Sequence, residues 1–367
     1  MIPIYEPLID SSESSMVAKC VESGWISSRS PMVADFEKSF LQYLCAEPES
    51  GLAVSSGSAA LLLALKTLGI GRGHEVLVPS MTFSATVSMI LLAGATPRFM
   101  DVDPKTWVIT PEILEKALSA KTRCVIAVHL YGNMPDMEGI MKIVSSKGIL
   151  LIEDAAEAHG SSFGRRKAGT FGDAGIFSFF GNKIITTGEG GFTVFRNPSA
   201  TATARMMRNH GTAGQGDYSS RHIGLSCRMT GMQAALGLAQ LEKMDEIISR
   251  KNTIAAAYEK NLLAQTRLSL QKFTPGWSGI PWLTSLLLPH ECASEREKII
   301  SRMGENGIQI YTTFTALHTL KPFQQARGTG SLDVSESIGL RGISLPSGPS
   351  LTTDMVDHIC ETLMKFT

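Results

Sequence analysis

Between Ser50 and Phe195 the chain alternates short apolar runs with longer amphipathic ones, and this alternation constrains the fold more than any other feature. "GLAVSS" reads as a strand, and "SAALLLALKTLGI" as a helix with a broad apolar face. "EVLVPS", "FSATVSMILLAGA" and "TPRFMDVD" repeat the order strand, helix, strand. "TPEILEKAL" opens on a Thr cap with Glu in the first turn, which marks a helix start. "CVIAVHLYG" is a buried strand, "DMEGIMKIVSSKG" a helix closed by glycine, and "ILLIEDAAEAHG" a strand running into a loop. "AGIFSFF" and "GGFTVFRN" are two further strands. Strands this rich in Val, Ile and Leu are covered on both faces, so the expected fold is α/β with a mostly parallel sheet flanked by helices. In such sheets ligands sit beyond the carboxyl ends of the strands.

At 367 residues the chain exceeds one small core. The expected division is a large α/β domain with its N-terminal segment over 1–245, then a linking helix and a small C-terminal domain over 246–367. The link is a long helical stretch, "RMTGMQAALGLAQLEKMDEIISRKNTIAAAYEKNLL". From about Gln265 the character changes. "WSGIPWLTSLLLP", "GIQIYTTFT" and "GISLPSGPS" read as strands, with helices at "ASEREKIISRMGENG" and "TTDMVDHICETLMKF", a small α+β pattern.

Composition removes several function classes. The 34 Lys and Arg balance the 34 Asp and Glu, with no basic stripe for nucleic acid. The six cysteines are scattered without a CxxC pair, as reduced thiols of a cytoplasmic protein would be. "MIPIYEPLID" lacks the charged and apolar regions of a signal peptide, and no apolar run is long enough to span a bilayer, so no membrane role is expected. The histidines give no HxxxH or HxH spacing, and no metal is expected.

The informative residues follow the strands. Ser56, Gly57 and Ser58 sit at a strand-to-helix turn, where free backbone N–H groups can bind phosphate. Phe83 follows the next strand and could stack on a flat ring. Asp154 follows "GILLIE", where a carboxylate must be paired or functional. There is no GxxxxGK[ST], and "GIGRG" precedes a strand instead of following one, so the usual nucleotide motifs are absent. Lys183, in "GNKIITTGEGG", follows "AGIFSFF"; burial there would lower its pKa and make it a usable amine. Taken singly, each has a plainer explanation: a capped turn, a core aromatic, a solvated lysine. Taken together they match the needs of pyridoxal 5'-phosphate: donors for its phosphate, a stacking face, an acid for its ring nitrogen and a lysine for its aldehyde.

"SGSAAL", "EDAAEAHG", "GTFGDAGIFSFFGNKIITTGEGG" and "RMTGMQAALGLAQL" resemble the DegT/DnrJ/EryC1/StrS sugar aminotransferase family over nearly the whole chain. The resemblance implies the fold type I (aspartate aminotransferase) architecture and a cytoplasmic homodimer with its active site at the interface. "MIPIYEPLI", "SGWISSRS", "WLTSLLL" and "LHTL" are most similar to the branch that aminates C4 of GDP-4-keto-6-deoxymannose with glutamate as donor. It implies that Lys183 is the Schiff-base lysine and proton shuttle, that Asp154 pairs with the pyridinium nitrogen and that Phe83 stacks on the ring. Glu157 would lie near the ring hydroxyl, and Ser56, Gly57, Ser58 and Ser178 would hold the phosphate. A lysine at 183, where some relatives carry histidine and act as dehydratases, favours transamination. Trp25, Ser27, Ser28, His159, Arg228, Tyr311 and His318 are the implied substrate contacts, some of them reaching a partner's site. Ser226 stands where the family has an asparagine that reaches the neighbouring phosphate. Ser30 replaces a usual glycine, Tyr311 an arginine, Thr315 a tyrosine and Gly348 a tryptophan. These changes leave two alternatives beside a nucleotide-linked keto-sugar: a non-nucleotide keto-sugar or cyclitol ketone, and a non-catalytic cofactor-binding regulator.

Overall fold

The computed structural model describes residues 1–212, 218–262 and 267–367. The change of character near Gln265 and the last residue of the expected long helix, Leu263, lie outside these.

The strands run β1 (Gly51–Val54), β2 (Glu75–Pro79), β3 (Thr96–Met100), β4 (Thr122–Val128), β5 (Leu150–Asp154), β6 (Ser162–Phe163), β7 (Arg166–Lys167), β8 (Ala174–Ser178) and β9 (Gly191–Phe195). They continue with β10 (Ser269–Leu270), β11 (Thr284–Leu287), β12 (Tyr311–Thr312), β13 (Arg327–Gly328) and β14 (Gly342–Leu345). One sheet has the order β1-β9-β8-β5-β4-β2-β3-β13. All its neighbours pair in parallel except those of β9, which is antiparallel to both β1 and β8. The expected mostly parallel sheet is therefore present, and the carboxyl ends of β1, β2, β4, β5 and β8 open on one side. A second sheet, β10-β11-β14-β12, is antiparallel and belongs to the C-terminal part. It has its own apolar cluster with Tyr258, Leu286, Ile343 and Leu363. The C-terminal part also supplies β13 to the edge of the main sheet, where Arg327 and Gly328 pair with Arg98 and Phe99.

Several expected elements are shorter or divided. The long helical stretch is two helices, Gly231–Glu242 and Met244–Leu262, interrupted at Lys243. There Lys243 Nζ turns to Glu13 at 2.7 Å and Asp10 at 2.8 Å, so a two-carboxylate anchor fixes the break. "CVIAVHLYG" leaves the sheet at Val128 and closes as a short 3-10 turn, Leu130–Gly132, with Tyr131 at φ +54°. "GIQIYTTFT" contributes only Tyr311–Thr312 to a strand.

The main sheet is pinned beneath its ligand side by a fully buried carboxylate. Glu153 Oε1 accepts from the N–H groups of Phe171 and Gly172 at 2.5 and 2.7 Å. Its Oε2 accepts from Gly169 N and lies against His129 Nε2, both at 2.8 Å. All four partners face an acceptor, so a carboxylate satisfies them where an amide cannot. Glu153→Gln, which places an NH2 against two donors, is expected to lower stability by roughly 2–3 kcal/mol in a chemical denaturation curve; an unchanged midpoint would mean that this network carries little of the fold.

Candidate active site

Beyond the strand ends lies a cavity of about 370 Å³. Its lining includes Ser56, Gly57, Ser58, Phe83, Asp154, Glu157, Ser178 and Lys183, so eight of the nine cofactor residues implied by the sequence meet in one place. The ninth, Ser226, is exposed on a separate segment, paired with Asn209.

Each side chain is placed by a local feature. Ser56 is the N-cap of helix Gly57–Thr67, and its hydroxyl accepts from Ala59 N at 3.1 Å. The first N–H groups of such a helix have no intrahelical partner and favour an anion. Gly57 is required for space: a Cβ there would stand 2.9 Å from Ser178 Cβ. Phe83 occupies the N-cap of the next helix, Ser84–Leu92, so its ring is 57% exposed toward the cavity. Asp154 ends β5 and is buried; its Oδ2 accepts from Thr86 Oγ1 at 2.8 Å and its Oδ1 from Ala156 N at 3.2 Å. Burial raises its pKa, opposed by the Thr86 and Ala156 hydrogen bonds and by Lys183. Glu157 Oε2 accepts from Tyr131 N at 2.9 Å, and burial raises its pKa against the pull of Lys183.

Lys183 sits on a turn closed by its own N–H bonding Phe180 O at 2.9 Å. Its side chain is buried, with Nζ 3.4 Å from Glu157 Oε1 and 3.7 Å above the Trp282 ring. Burial lowers its pKa, while Glu157 and Asp154 hold it up. The amine is thus more available than a solvated lysine, in a cavity whose lining also holds three carboxylates, Asp154, Glu157 and Glu189, and a helix N-terminus.

The proposed substrate residues divide. Tyr311 lines the cavity, with its hydroxyl accepting from Gln309 Nε2 at 3.0 Å. His159 is buried behind the wall between Phe177 and Phe179, at 5.5 Å from each ring. Burial, aided by Lys183, pushes its pKa down to about 3, which favours the neutral imidazole. His318 is held away from the cavity by Ser80 Oγ at 2.7 Å and Glu336 Oε1 at 2.9 Å. Trp25 and Ser27 are exposed and Ser28 half-buried, all outside the cavity lining, and Arg228 is engaged with Asn209. Ser30 caps helix Pro31–Leu44, which accounts for a hydroxyl at that position. Sequence reasoning missed four further wall residues, Thr86, Tyr131, Trp282 and Phe314, and for Thr86, Trp282 and Phe314 no sequence signal separates them from core. Tyr131 carried the best clue, an aromatic directly before a glycine at a strand end.

A family model described as the DegT/DnrJ/EryC1/StrS aminotransferase family matches residues 7–364, and the chain belongs to that family. It is 38% identical to a GDP-perosamine synthase of Escherichia coli O157:H7, over 100% of this chain and 98% of that one. It is 36% identical to a GDP-perosamine synthase of Vibrio cholerae, over 100% and 99%. Spr1654 from Streptococcus pneumoniae, solved in its PLP form, superposes with a TM-score of 0.93 at 27% identity, covering 99% of this chain and 98% of that one. The fold is that of fold type I pyridoxal phosphate enzymes, and the chain is a pyridoxal 5'-phosphate-dependent sugar aminotransferase.

The residues present fit this cofactor. A side chain at 57 would fill the anion cradle, and Asp154 keeps a buried carboxylate with only two donors of its own. Glu157 favours the charged form of Lys183, so Glu157→Gln is expected to lower the pH at which Lys183 reacts. In a pH series of cofactor capture by the stripped chain, the midpoint moves down in the variant; an upward shift would contradict the assigned contact.

Proposed function

We propose that this chain transfers the amino group of glutamate to C4 of GDP-4-keto-6-deoxymannose, yielding GDP-perosamine. The carrying observation is the buried Lys183 amine beside Asp154 and Glu157, with the Ser56–Ser58 helix start and Ser178 across the same cavity. The GDP-linked substrate is supported by the relatives from Escherichia coli and Vibrio cholerae.

When bound, pyridoxal 5'-phosphate supplies an electron sink for the amino transfer. Lys183 Nζ is the amine that would hold the cofactor through its aldehyde carbon, with loss of water, and when free it would hold and move the proton at the reacting carbon. Asp154 would keep the ring nitrogen protonated; Thr86 and Ala156 orient that carboxylate. Glu157, positioned by Tyr131 N–H, would serve the ring hydroxyl. Phe83 would shield the ring from water, and Ser56, Gly57, Ser58 and Ser178 would hold the phosphate.

The working unit on this reading is a cytoplasmic homodimer. Among the described residues the cavity lining has one cationic side chain, Lys183, while the substrates bring phosphate and carboxylate groups. Cations from a second copy answer that need. The segments suited to supply them lie together: Gly231 N bonds the carbonyls of Ile26 and Ser27, and Ser55 N bonds Cys227 O at 2.8 Å. This joins "GWISSRS" and Ser226–Arg228 at the edge of the cradle. Around them Trp25, Ile26, Phe180, Ile223, Leu225 and Met232 are exposed apolar groups, the composition of an interface. Residues 246–367 form the linking helix and small C-terminal domain on this reading, and Trp282, Tyr311 and Phe314 from that stretch line the cavity. A second substrate reading, a keto-sugar or cyclitol without a nucleotide, draws on Tyr311, a phenol at the cavity where the most similar branch tends to carry arginine.

Glutamate alone is expected to bleach the yellow cofactor band of the purified protein, and Lys183→Ala to lower turnover by roughly 10³-fold or more without loss of fold. In a panel of GDP-, UDP- and dTDP-linked keto-sugars and unlinked ones, amination of the GDP sugar is the predicted result; amination of unlinked ketones alone would favour the second reading. Mixing Lys183→Ala with Arg228→Ala chains is expected to restore activity through hybrid dimers. No restoration, with each variant folded, would place Arg228 outside the partner's site.

A further inference from the structure

We propose that Trp282 is a positioning residue for Lys183, its indole face being the seat of the lysine's ammonium whenever that amine is not bonded to the cofactor. The inference rests on Lys183 as the reacting amine and gives that amine a second partner.

The geometry singles out the ring. Lys183 Nζ lies 3.7 Å from its centroid, well inside the range of a cation–π contact, and Trp is the strongest of the aromatic partners. The Glu157 oxygen, at 3.4 Å, is longer than the roughly 2.7–2.9 Å of a strong charged hydrogen bond. Trp282 is itself fixed from every side. Its backbone N–H bonds Tyr131 O at 3.0 Å, and its carbonyl accepts from Lys251 Nζ at 2.9 Å. Its ring stacks on Tyr131 with centroids 6.0 Å apart and planes 17° from parallel. Its indole Nε1 donates to Asn182 O at 2.6 Å, the residue immediately before the lysine. The ring is therefore tied to the same turn that carries the amine. A buried neutral face attracts the ammonium in a dry site without the tight hold of a short ion pair, which suits a group that must leave and return.

The charged and titratable groups around Lys183 are Glu157 and Asp154, with Glu189, Tyr5 and Tyr311 elsewhere on the cavity wall, and His159 behind it. Lys251 lies beyond the Trp282 carbonyl, and the Tyr131 hydroxyl is engaged by Phe314 N. Trp282→Leu also removes the indole bond to Asn182 O, so Trp282→Phe, which loses that bond but keeps an aromatic face, separates the face from the tie to the turn.

The test uses the full chain stripped of cofactor and then given pyridoxal 5'-phosphate over a range of pH, with capture followed by absorbance. Removing the ring removes a preference for the charged amine. Trp282→Leu should therefore move the capture midpoint down by about one pH unit, a tenfold change in the ionisation constant, and Trp282→Phe by less. Without cofactor, the intrinsic fluorescence should also step at the wild-type midpoint. That step should vanish in both Trp282→Phe and Lys183→Met. A purely structural Trp282 would weaken capture at every pH with the midpoint unmoved, and that result overturns the proposal. Should Trp282→Leu fail to fold, the Phe variant and the fluorescence step decide it, and a wild-type emission indifferent to Lys183 counts against the proposal. Covalent capture persisting in Lys183→Met would sink the underlying reading of the lysine, whereas Lys183-dependent capture with an unmoved midpoint sinks only the role of Trp282.

Discussion

An amine carried out of water is the constraint around which this molecule is arranged. Burying Lys183 disfavours its charge, and the fold compensates only in part, with Glu157 at 3.4 Å, Asp154 nearby and the Trp282 face at 3.7 Å. Full compensation by a close ion pair would fix the ammonium and remove it from chemistry. The result is a lysine that is placed but not locked. Its position depends on β8, which delivers the turn, and on β5, which delivers Asp154 and leads to Glu157. Those strands are held in turn by the Glu153 network on the far side of the sheet. Adjacent carboxylates on one strand thus do opposite work. Glu153 is saturated with donors and structural, whereas Asp154 keeps acceptor capacity facing the cavity.

The parallel sheet was legible because its strands are continuous apolar runs, which need helices on both faces. The same logic located the strand ends, and with them Ser56, Phe83, Asp154 and Lys183, while Ser178 came from the family resemblance. The antiparallel β9 was not legible, because strand direction leaves no trace in hydrophobic pattern. The break at Lys243 was hidden too. At the break Lys243 pairs with Asp10 and Glu13, more than two hundred positions away, a contact that periodicity cannot see.

The far wall of the cavity was the least readable part. Trp282 lies in an apolar run and looks like core, as does Phe314; only the folded chain brings them to Tyr131 as a stack. Tyr131 reaches that stack through a left-handed backbone conformation. His159 and His318 illustrate the converse. Their side chains are chemically versatile, but one is packed between phenylalanines and the other is bonded to Ser80 and Glu336.

The central claim is that Lys183 is the amine that bonds the cofactor. Borohydride reduction of the native yellow protein, followed by digestion and mass mapping of the labelled peptide, tests it most directly. The account predicts a single pyridoxyl label on the peptide containing Gly181–Lys183. A label on any other lysine, Lys251 included, would contradict it.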